Sequence, residues 1–248
     1  MTQRLCPQCE AVLQPDLRYE MLSSKAKEVA DATAVCPVCG WKGGWRDGLT
    51  EPAIPTPKPA IPYLSIDIET TGLDPATCQI LEIGAVFDDW TLPIGKLPRF
   101  HCYVTHDQII GQPYALAMNA DILRKLGNFN GTDWGDASVV GPEDVGGEMA
   151  CWLAKYWDDF EPITPAGKNF ASFDRQFLKR LPDFEQNVRL HHRTLDPAML
   201  FWRPGDEKLP DSKTCYQRAG KQGDVAHTAL EDGLDVVWLI RAGIKRLK

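Results

Sequence analysis

Residues 63 to 69 alternate between apolar and polar side chains, which is the period of a β-strand. Asp67 and Glu69 therefore project from one face of this strand, about 7 Å apart along it. A solvated strand face is the usual setting of such a pair. The apolar neighbours Ile66 and Ile68 favour a central strand instead, where two carboxylates without a cation would be costly.

A turn and two further strands are predicted after this segment. Residues 70–72, Thr-Thr-Gly, end the first strand. Residues 79–87 are nearly all apolar, as in a strand that is buried on both faces. Residues 99–105 make a third strand. Together with the helices predicted further along the chain, these strands indicate an α/β domain.

The segment from 169 to 178 predicts a helix with Asn169 as its N-cap. Its large apolar residues recur at helical spacing and are expected in the core rather than on a base-stacking platform. They are Phe170, Phe173, Phe177 and Leu181. Asp174 lies beside this apolar stripe, which makes it a candidate cation ligand. The alternative for Asp174 is an ion pair with Arg175 or Lys179.

The C-terminal segment predicts a long helix that begins with a capping box. Thr228 suits the N-cap and Glu231 the third helical position, and an apolar stripe continues to residue 247. His227 and Asp232 then occupy the two positions around the cap that usually carry apolar residues. Polar residues at two positions where apolar residues would stabilise the helix start better indicate a functional site.

Four of the eight cysteines form two Cys-x-x-Cys pairs, Cys6 with Cys9 and Cys36 with Cys39. Two such pairs can complete a tetrahedral zinc site. Two disulfides or four unrelated thiols are the alternatives, although an intracellular chain disfavours disulfides. We therefore expect residues 1–49 to form a small zinc ribbon with one structural Zn²⁺, because protein would fill all four positions.

Five prolines within residues 50–62 favour an extended, semi-rigid spacer. The predicted domain organisation is accordingly a zinc ribbon over 1–49, a proline-rich linker over 50–60 and a larger domain over 61–248.

Composition changes this picture mainly through charge. The 248 residues are 44% apolar and 25% charged, as in an ordinary globular protein. The sequence contains no stretch long enough for a membrane span and no apolar signal core at its N-terminus. A cytoplasmic protein with no membrane partner is therefore expected. The net charge of −7 argues at first against a nucleic-acid partner, but bound divalent cations would reverse the charge locally.

Five candidate residues, in this order and in these strand and helix contexts, resemble the motif of the DEDDh 3′→5′ exonucleases. They are Asp67, Glu69, Asp174, His227 and Asp232. That group contains proofreading exonucleases, ribonuclease T and oligoribonuclease. The resemblance spans about residues 61–248 and implies a ribonuclease-H-like fold, with a mixed five-stranded sheet and flanking helices. Pro165 removes a ladder donor from the strand expected over 163–167, so we expect that strand to be short or bulged.

The oligoribonuclease branch is the most similar locally. The spacing from Asn169 to Asp174 is kept, and residues 192–196 resemble that branch's tyrosine-arginine-x-leucine-aspartate segment. Phe170 and Phe173 stand where that branch uses polar residues to grip a short substrate. Longer DNA or RNA 3′ ends are therefore candidate substrates beside short oligonucleotides.

The resemblance also implies a chemistry and a set of residue roles. Two Mg²⁺ or Mn²⁺ ions would be held at the scissile phosphate by Asp67, Glu69, Asp174 and Asp232. His227 would be the general base for the attacking water. The product would be a nucleoside 5′-monophosphate.

By the same resemblance, the turn after the first strand binds substrate. Leu73 would wedge against the terminal bases, and the backbone of Thr71 and Gly72 would contact the last nucleotide. Asn169 is a further candidate for substrate binding. For Leu73 the alternative is a turn anchor packed into the core.

Two functions are compared on this basis. The first is a metal-dependent 3′→5′ exonuclease that acts on single-stranded DNA or RNA. Its zinc ribbon would position the substrate or recruit a protein partner, and the oligoribonuclease resemblance is compatible with a homodimer. The second is a catalytically silent adaptor that binds nucleic acid or protein. The sequence lacks none of the motif's acids, nor its histidine, which favours the enzyme.

Overall fold

The chain divides into two compact units, Met1–Pro59 and Ala60–Lys248, in a computed structural model. In the second unit the structure describes residues 61–128, 135–157, 161–221 and 228–246. In the first unit it describes only five short strands.

The strands of the first unit form two small antiparallel sheets. Strand β1 (Arg4–Leu5) pairs with β5 (Leu49–Thr50), and β2 (Gln14–Pro15), β3 (Thr33–Val35) and β4 (Lys42–Gly44) form a three-stranded sheet. The cysteines of the predicted zinc site lie outside the described residues, as does most of the linker. They are Cys6, Cys9, Cys36 and Cys39. The zinc ribbon therefore stays a prediction.

The second unit is built on a five-stranded mixed sheet. Its strands are β6 (Tyr63–Thr70), β7 (Ile80–Asp88), β8 (Arg99–Val104), β9 (Ser138–Val140) and β10 (Thr164–Ala166). Their order across the sheet is β10-β6-β7-β8-β9. The three long strands are antiparallel, whereas β10 runs parallel to β6 and β9 parallel to β8. Helices flank this sheet, so the predicted ribonuclease-H-like α/β architecture is confirmed for this unit.

The described helices are short apart from the last. They are α1 (Pro113–Met118), α2 (Ala120–Gly127), α3 (Val145–Leu153), α4 (Asp174–Leu178), α5 (Phe184–Asn187), α6 (Ala198–Phe201), α7 (Ser212–Ala219) and α8 (Ala229–Arg246). Among these described helices, none has the length and apolar character that crossing a membrane would require.

The alternation in β6 divides its side chains between two cores. Leu64, Ile66 and Ile68 are buried against α3, α4 and α5 on one face of the sheet. Tyr63 packs with Val237 and other α8 residues on the opposite face. Asp67 and Glu69 share the face of Tyr63 because side chains on a strand alternate. The carboxylates therefore point to the α8 side of a sheet that is covered on both faces.

Strand β10 is as short as its proline predicts. It has three residues, with Pro165 in the middle, and pairs with β6 alone among the named strands. The Pro165 carbonyl still accepts a hydrogen bond from the Leu195 backbone N–H. Proline is tolerated here because only the carbonyl is needed for pairing on that side.

The helix predicted over 169–178 begins later than expected. Asn169 has a φ of 56° and is followed by turns, and the helix itself starts at Asp174. The left-handed backbone at Asn169 cannot belong to the first turn of a right-handed helix. The predicted N-cap is therefore wrong, although Phe170 and Phe177 are buried in the core as expected.

The start of α8 follows its sequence signal closely. The Glu231 backbone N–H donates to the Thr228 hydroxyl oxygen, and that hydroxyl donates to the Glu231 carboxylate at 2.9 Å. Thr228 is thus the N-cap, as predicted. Asp232 lies in the first turn of the helix, where it faces the sheet across from β6.

Candidate active site

Three carboxylates from distant parts of the chain meet above the centre of the sheet. Asp67, Glu69 and Asp232 each offer an oxygen, and these oxygens lie within 4.8 Å of one another. All three side chains are half-buried. Among the described residues, neither Asp67 nor Glu69 forms a salt bridge. Acids brought so close to one another repel and disfavour ionisation.

Glycine at position 84 allows the first turn of α8 to pack directly against the backbone of β7. Gly84 is the direct cross-strand partner of Asp67. A Cβ atom at this position would lie 2.2 Å from the Leu230 backbone nitrogen and 2.4 Å from the Ala229 carbonyl oxygen. The first turn of α8 thus rests on the backbone of β7, because no side chain separates them.

A second contact fixes the same helix one turn later. The Ser65 hydroxyl donates a hydrogen bond of 2.8 Å to the Gly233 carbonyl oxygen, and both residues are buried. Ser65 lies two residues before Asp67 on the same face of β6. The helix is therefore tied to the strand that carries the first two acids, which places Asp232 beside them.

Asp174 approaches the site from the other side of β6. It is 3% exposed and is not one of the three clustered acids, but its charge acts on Asp67 more strongly than that of any other acid. The backbone groups of Asp174 itself and of Ile68 lower the pKa of this carboxyl and so oppose the effect of burial. The alternative ion pair with Arg175 or Lys179 is wrong, since neither forms a salt bridge with Asp174.

Burial raises the pKa of Asp67, Glu69 and Asp174. The pKa of Glu69 rises to about 7, first through burial and then through the charge of Glu82, while a hydrogen bond from Asn119 opposes the shift. Burial likewise raises the pKa of Asp174 to about 7. For Asp67, burial and then the charges of Asp174 and Asp232 hold the pKa well above its ordinary range. The cluster thus favours protons or cations over free carboxylates.

The donor set fits a hard divalent cation. Carboxylate oxygens are the ligands that Mg²⁺ and Mn²⁺ prefer, and a cation bound among half-buried acids offsets the repulsion between their negative charges. Asp67, Glu69 and Asp232 are close enough to bind one ion together, and Asp174 could support a second ion beside Asp67.

In the absence of divalent cations, the stability of the folded protein should fall as the pH rises through the range in which these acids titrate. Glu69 has an ordinary pKa of 4.5 and a folded pKa of about 7, so the folded protein holds a proton that the unfolded chain releases in this interval. Below the interval both states are protonated and the site carries no penalty. Thermal unfolding in buffer without divalent cations should therefore show a higher Tm at pH 5.5 than at pH 8.

Added Mn²⁺ should raise the Tm more at pH 8 than at pH 5.5, because it replaces the displaced protons. The matched variant is Glu69→Gln, in which this residue no longer titrates, so its Tm should fall less between the two pH values. Equal pH slopes for the wild type and the variant would contradict the role given to Glu69.

The turn after β6 presents its predicted substrate residues in different ways. Leu73 is 74% exposed, so the alternative of a core anchor is wrong. Thr71 is buried, and its hydroxyl donates to the Ile110 carbonyl oxygen and accepts from the Gln79 backbone N–H. A Cβ at Gly72 would lie 2.5 Å from the Cys78 sulfur. Only Leu73 among these three offers a side chain to solvent.

The structure describes one of the two remaining predicted site residues, Asn169, but not the other, His227. The Asn169 backbone N–H donates to the Asp196 carboxylate at 3.1 Å, which anchors the loop that leads to Asp174. Asp196 also accepts from the Ala198 backbone N–H and so joins two loops. His227 lies outside the described residues, directly before the N-cap Thr228.

Sequence reasoning missed an acid beside the cluster. Glu82 is the direct cross-strand partner of Glu69 and is 0% exposed. One of its oxygens, Oε1, lies 2.6 Å from His101 Nε2. The available signal was an acid within the apolar part of a nine-residue strand, well before the second acid, Asp88, at the end of that strand. A buried carboxylate in such a strand needs a polar partner, and the sequence does not identify one.

Comparison with known proteins identifies relatives in sequence and in fold. No protein-family model matches the chain. The chain is 27% identical over 203 residues to the oligoribonuclease of Burkholderia lata, which covers 74% of this chain and 85% of that protein. It is 25% identical over 184 residues to the oligoribonuclease of Neisseria meningitidis serogroup B, covering 69% and 84%.

The fold is similar to that of E. coli exonuclease I in a complex with single-stranded DNA, with a TM-score of 0.51 and 17% identity. That similarity covers 75% of this chain and 40% of exonuclease I, so the chain spans less than half of the larger enzyme. In its oligoribonuclease-like sequence, its ribonuclease-H-like sheet and its acidic cluster, the second unit is similar to the 3′→5′ exonucleases of the DEDD superfamily.

Proposed function

We propose that the protein removes nucleotides one at a time from the 3′ end of single-stranded DNA or RNA. The observation that supports this proposal most is the approach of Asp67, Glu69 and Asp232 within 4.8 Å on a covered sheet face. The relatives point in the same direction, since the sequence is similar to oligoribonucleases and the fold to an exonuclease I bound to single-stranded DNA.

DEDD exonucleases use divalent metal ions, and we assign two Mg²⁺ or Mn²⁺ ions to this site. Asp67, Glu69 and Asp232 would hold one ion, and Asp174 together with Asp67 the other. When bound, such ions lower the pKa of the attacking water and neutralise the charge that develops on the phosphate. The carboxylates contribute by holding negative charge where little solvent competes for the cations.

The remaining steps belong to the protein's own side chains. His227 precedes the N-cap of α8, five residues before Asp232, and is the candidate base for the proton of the attacking water. The fixed first turn of α8 would hold it near the acids. Hydrolysis in this arrangement releases a nucleoside 5′-monophosphate and leaves a new 3′ hydroxyl on the shortened strand.

Exposed apolar side chains at the turn after β6 and at the start of α1 suit unpaired bases. Leu73 is 74% exposed and Tyr114, at the start of α1, is 78% exposed. The segment before α1 contacts the Leu73 turn, since Gln112 accepts a hydrogen bond from the Leu73 backbone N–H. Bases of any sequence can stack on such side chains, so the expected substrate is a single strand rather than a duplex.

The proposed function is tested with the purified full chain, Mn²⁺ and matched DNA and RNA single strands of several lengths. A 5′ label should pass through a ladder of products that shorten by one nucleotide. A 3′ label should appear at once as a mononucleotide. The lengths and sugars that are cleaved fastest define the substrate class.

Two outcomes of this assay would contradict the proposal. Release of mononucleotides from the 5′ end would give the opposite polarity. Failure to release any mononucleotide from either DNA or RNA, with Mg²⁺ or Mn²⁺, would favour the silent adaptor.

For the first unit we retain the proposal of one structural zinc ion held by the four paired cysteines. Their two Cys-x-x-Cys spacings support it. Metal analysis of the purified chain should find about one zinc ion per molecule if the four thiolates form one tetrahedral site.

A further inference from the structure

Glu82 has an unpaired oxygen in the interior of the protein. Its side chain is 0% exposed, and Oε2 has no hydrogen-bond partner among the described residues. It is the only buried side-chain oxygen or nitrogen of the described residues in this condition. Leaving such an atom unpaired costs free energy, so its partner is expected to be something other than the protein.

The position of Glu82 indicates what that partner could be. Residues directly opposite each other on antiparallel strands have side chains on the same face, so Glu82 lies beside Glu69 on the α8 side of the sheet. The charge of Glu82 acts on both Glu69 and Asp67. The unpaired oxygen therefore belongs to the same negatively charged region as the clustered acids.

His101 holds the other oxygen of Glu82. The Nε2 to Oε1 distance is 2.6 Å, so these two atoms share a hydrogen bond. The His101 side chain is 18% exposed and its ring lies 5.0 Å from the Tyr103 ring. One oxygen is thus fixed by a neighbouring strand, which leaves Oε2 as the oxygen available to the site.

We propose that Glu82 is a fifth carboxylate of the cation site, oriented by His101, and that its free oxygen accepts a hydrogen bond from the hydration shell of the bound cation. This proposal rests on the proposed function, because it assigns Glu82 to the same divalent-cation site. Glu82 is a positioning residue in this role and His101 supports it. Outer groups of this kind commonly tune metal affinity.

Direct measurement of Mn²⁺ binding tests the proposal without reference to nuclease activity. Titration calorimetry on the full chain should give a Kd on the order of 10- to 100-fold weaker for Glu82→Gln than for the wild type. The glutamine keeps the shape of the side chain but carries no charge and can accept only through one oxygen.

Asp88→Asn is the matched control. Asp88 is on the same strand, is also 0% exposed and is held by Arg241 and Tyr63, about 20 Å further along β7. This control removes a buried charge without touching the acidic site. It should lower the Tm but leave the Mn²⁺ affinity unchanged.

His101 supplies a second pair of variants if Glu82→Gln does not fold. His101→Phe removes this hydrogen bond and leaves all five acids, so it should also weaken Mn²⁺ binding. His101→Gln keeps a donor and should restore part of the affinity. Wild-type affinity in His101→Phe would overturn the proposal.

The outcomes separate this proposal from the proposed function. Mn²⁺ affinity equal to or tighter than wild type in Glu82→Gln would overturn the role of Glu82 and indicate a proton shared between Glu82 and Glu69. Equal weakening of Mn²⁺ binding in Glu82→Gln and Asp88→Asn would also overturn the role of Glu82, because the effect would then reflect a general loss of stability. If the wild type binds Mn²⁺ no better than Asp67→Asn, the proposed function fails and the role of Glu82 fails with it.

Discussion

Asp67→Asn protein should release mononucleotides from a labelled single strand at least about 10³-fold more slowly than the wild type. Several kcal/mol of transition-state stabilisation come from a correctly held metal ion, and each 1.4 kcal/mol corresponds to about tenfold in rate. Asp67 is the central acid of the site, because the charges of four other acids act on it. Its loss should remove cation binding rather than merely weaken it.

The stability of the same variant should change in the opposite direction. Without divalent cations, Asp67 is a half-buried carboxyl surrounded by other acids, so the neutral asparagine should raise the Tm at pH 8. A variant that is inactive because it is unfolded would instead have a lower Tm. Activity on oligonucleotides and thermal unfolding in buffer without divalent cations together distinguish these cases.

Asp121→Asn is the control for the loss of one acidic charge. Asp121 lies in α2, its side chain is 86% exposed, and its ion pair is with Arg124 on the same helix. Its replacement should leave both activity and stability close to wild type. Wild-type cleavage by Asp67→Asn in Mn²⁺ would contradict the assigned site.

Gly84→Ala should disable the site without changing any acid. The added Cβ would lie 2.2 Å from the Leu230 backbone nitrogen, a distance that forces the first turn of α8 away from the sheet. Overpacking of this kind costs about 1–3 kcal/mol. A shift of about 1 Å in Asp232 would lower the rate by about 10²-fold.

The measurements are the free energy of unfolding, the Mn²⁺ Kd and the cleavage rate of the folded variant. Gly147→Ala is the matched control, because Gly147 lies within α3 and an added Cβ there meets nothing within 4 Å. Alanine in that helix should raise stability by roughly 0.5–1 kcal/mol and leave cleavage unchanged. A fully active Gly84→Ala protein would show that the close approach of α8 is not required.

Sequence reasoning was most successful where a property depends on neighbours along the chain. The period of two in β6 placed Asp67 and Glu69 on one face, because successive side chains of a strand point to opposite sides. The capping box placed the start of α8 at Thr228, since that hydrogen bond joins residues three apart. The resemblance also indicated the superfamily, which the comparisons confirm.

Sequence reasoning was wrong where the backbone responds to distant parts of the chain. Asn169 suited a helix N-cap locally, yet its backbone N–H bonds to the Asp196 carboxylate 27 residues away and its φ is 56°. A tertiary hydrogen bond therefore overrode the local preference. The helix consequently starts at Asp174, which is the residue that the site needs beside β6.

The sequence alone determined which acids share a strand face, where the last helix begins and which superfamily the second unit resembles. Only the tertiary structure decided that Asp232 reaches Asp67, because this depends on the missing side chain at Gly84. It also decided that Glu82 lies beside Glu69 with one oxygen unpaired. Strand register and helix-to-sheet distance are set by packing between remote segments, and no local pattern records them.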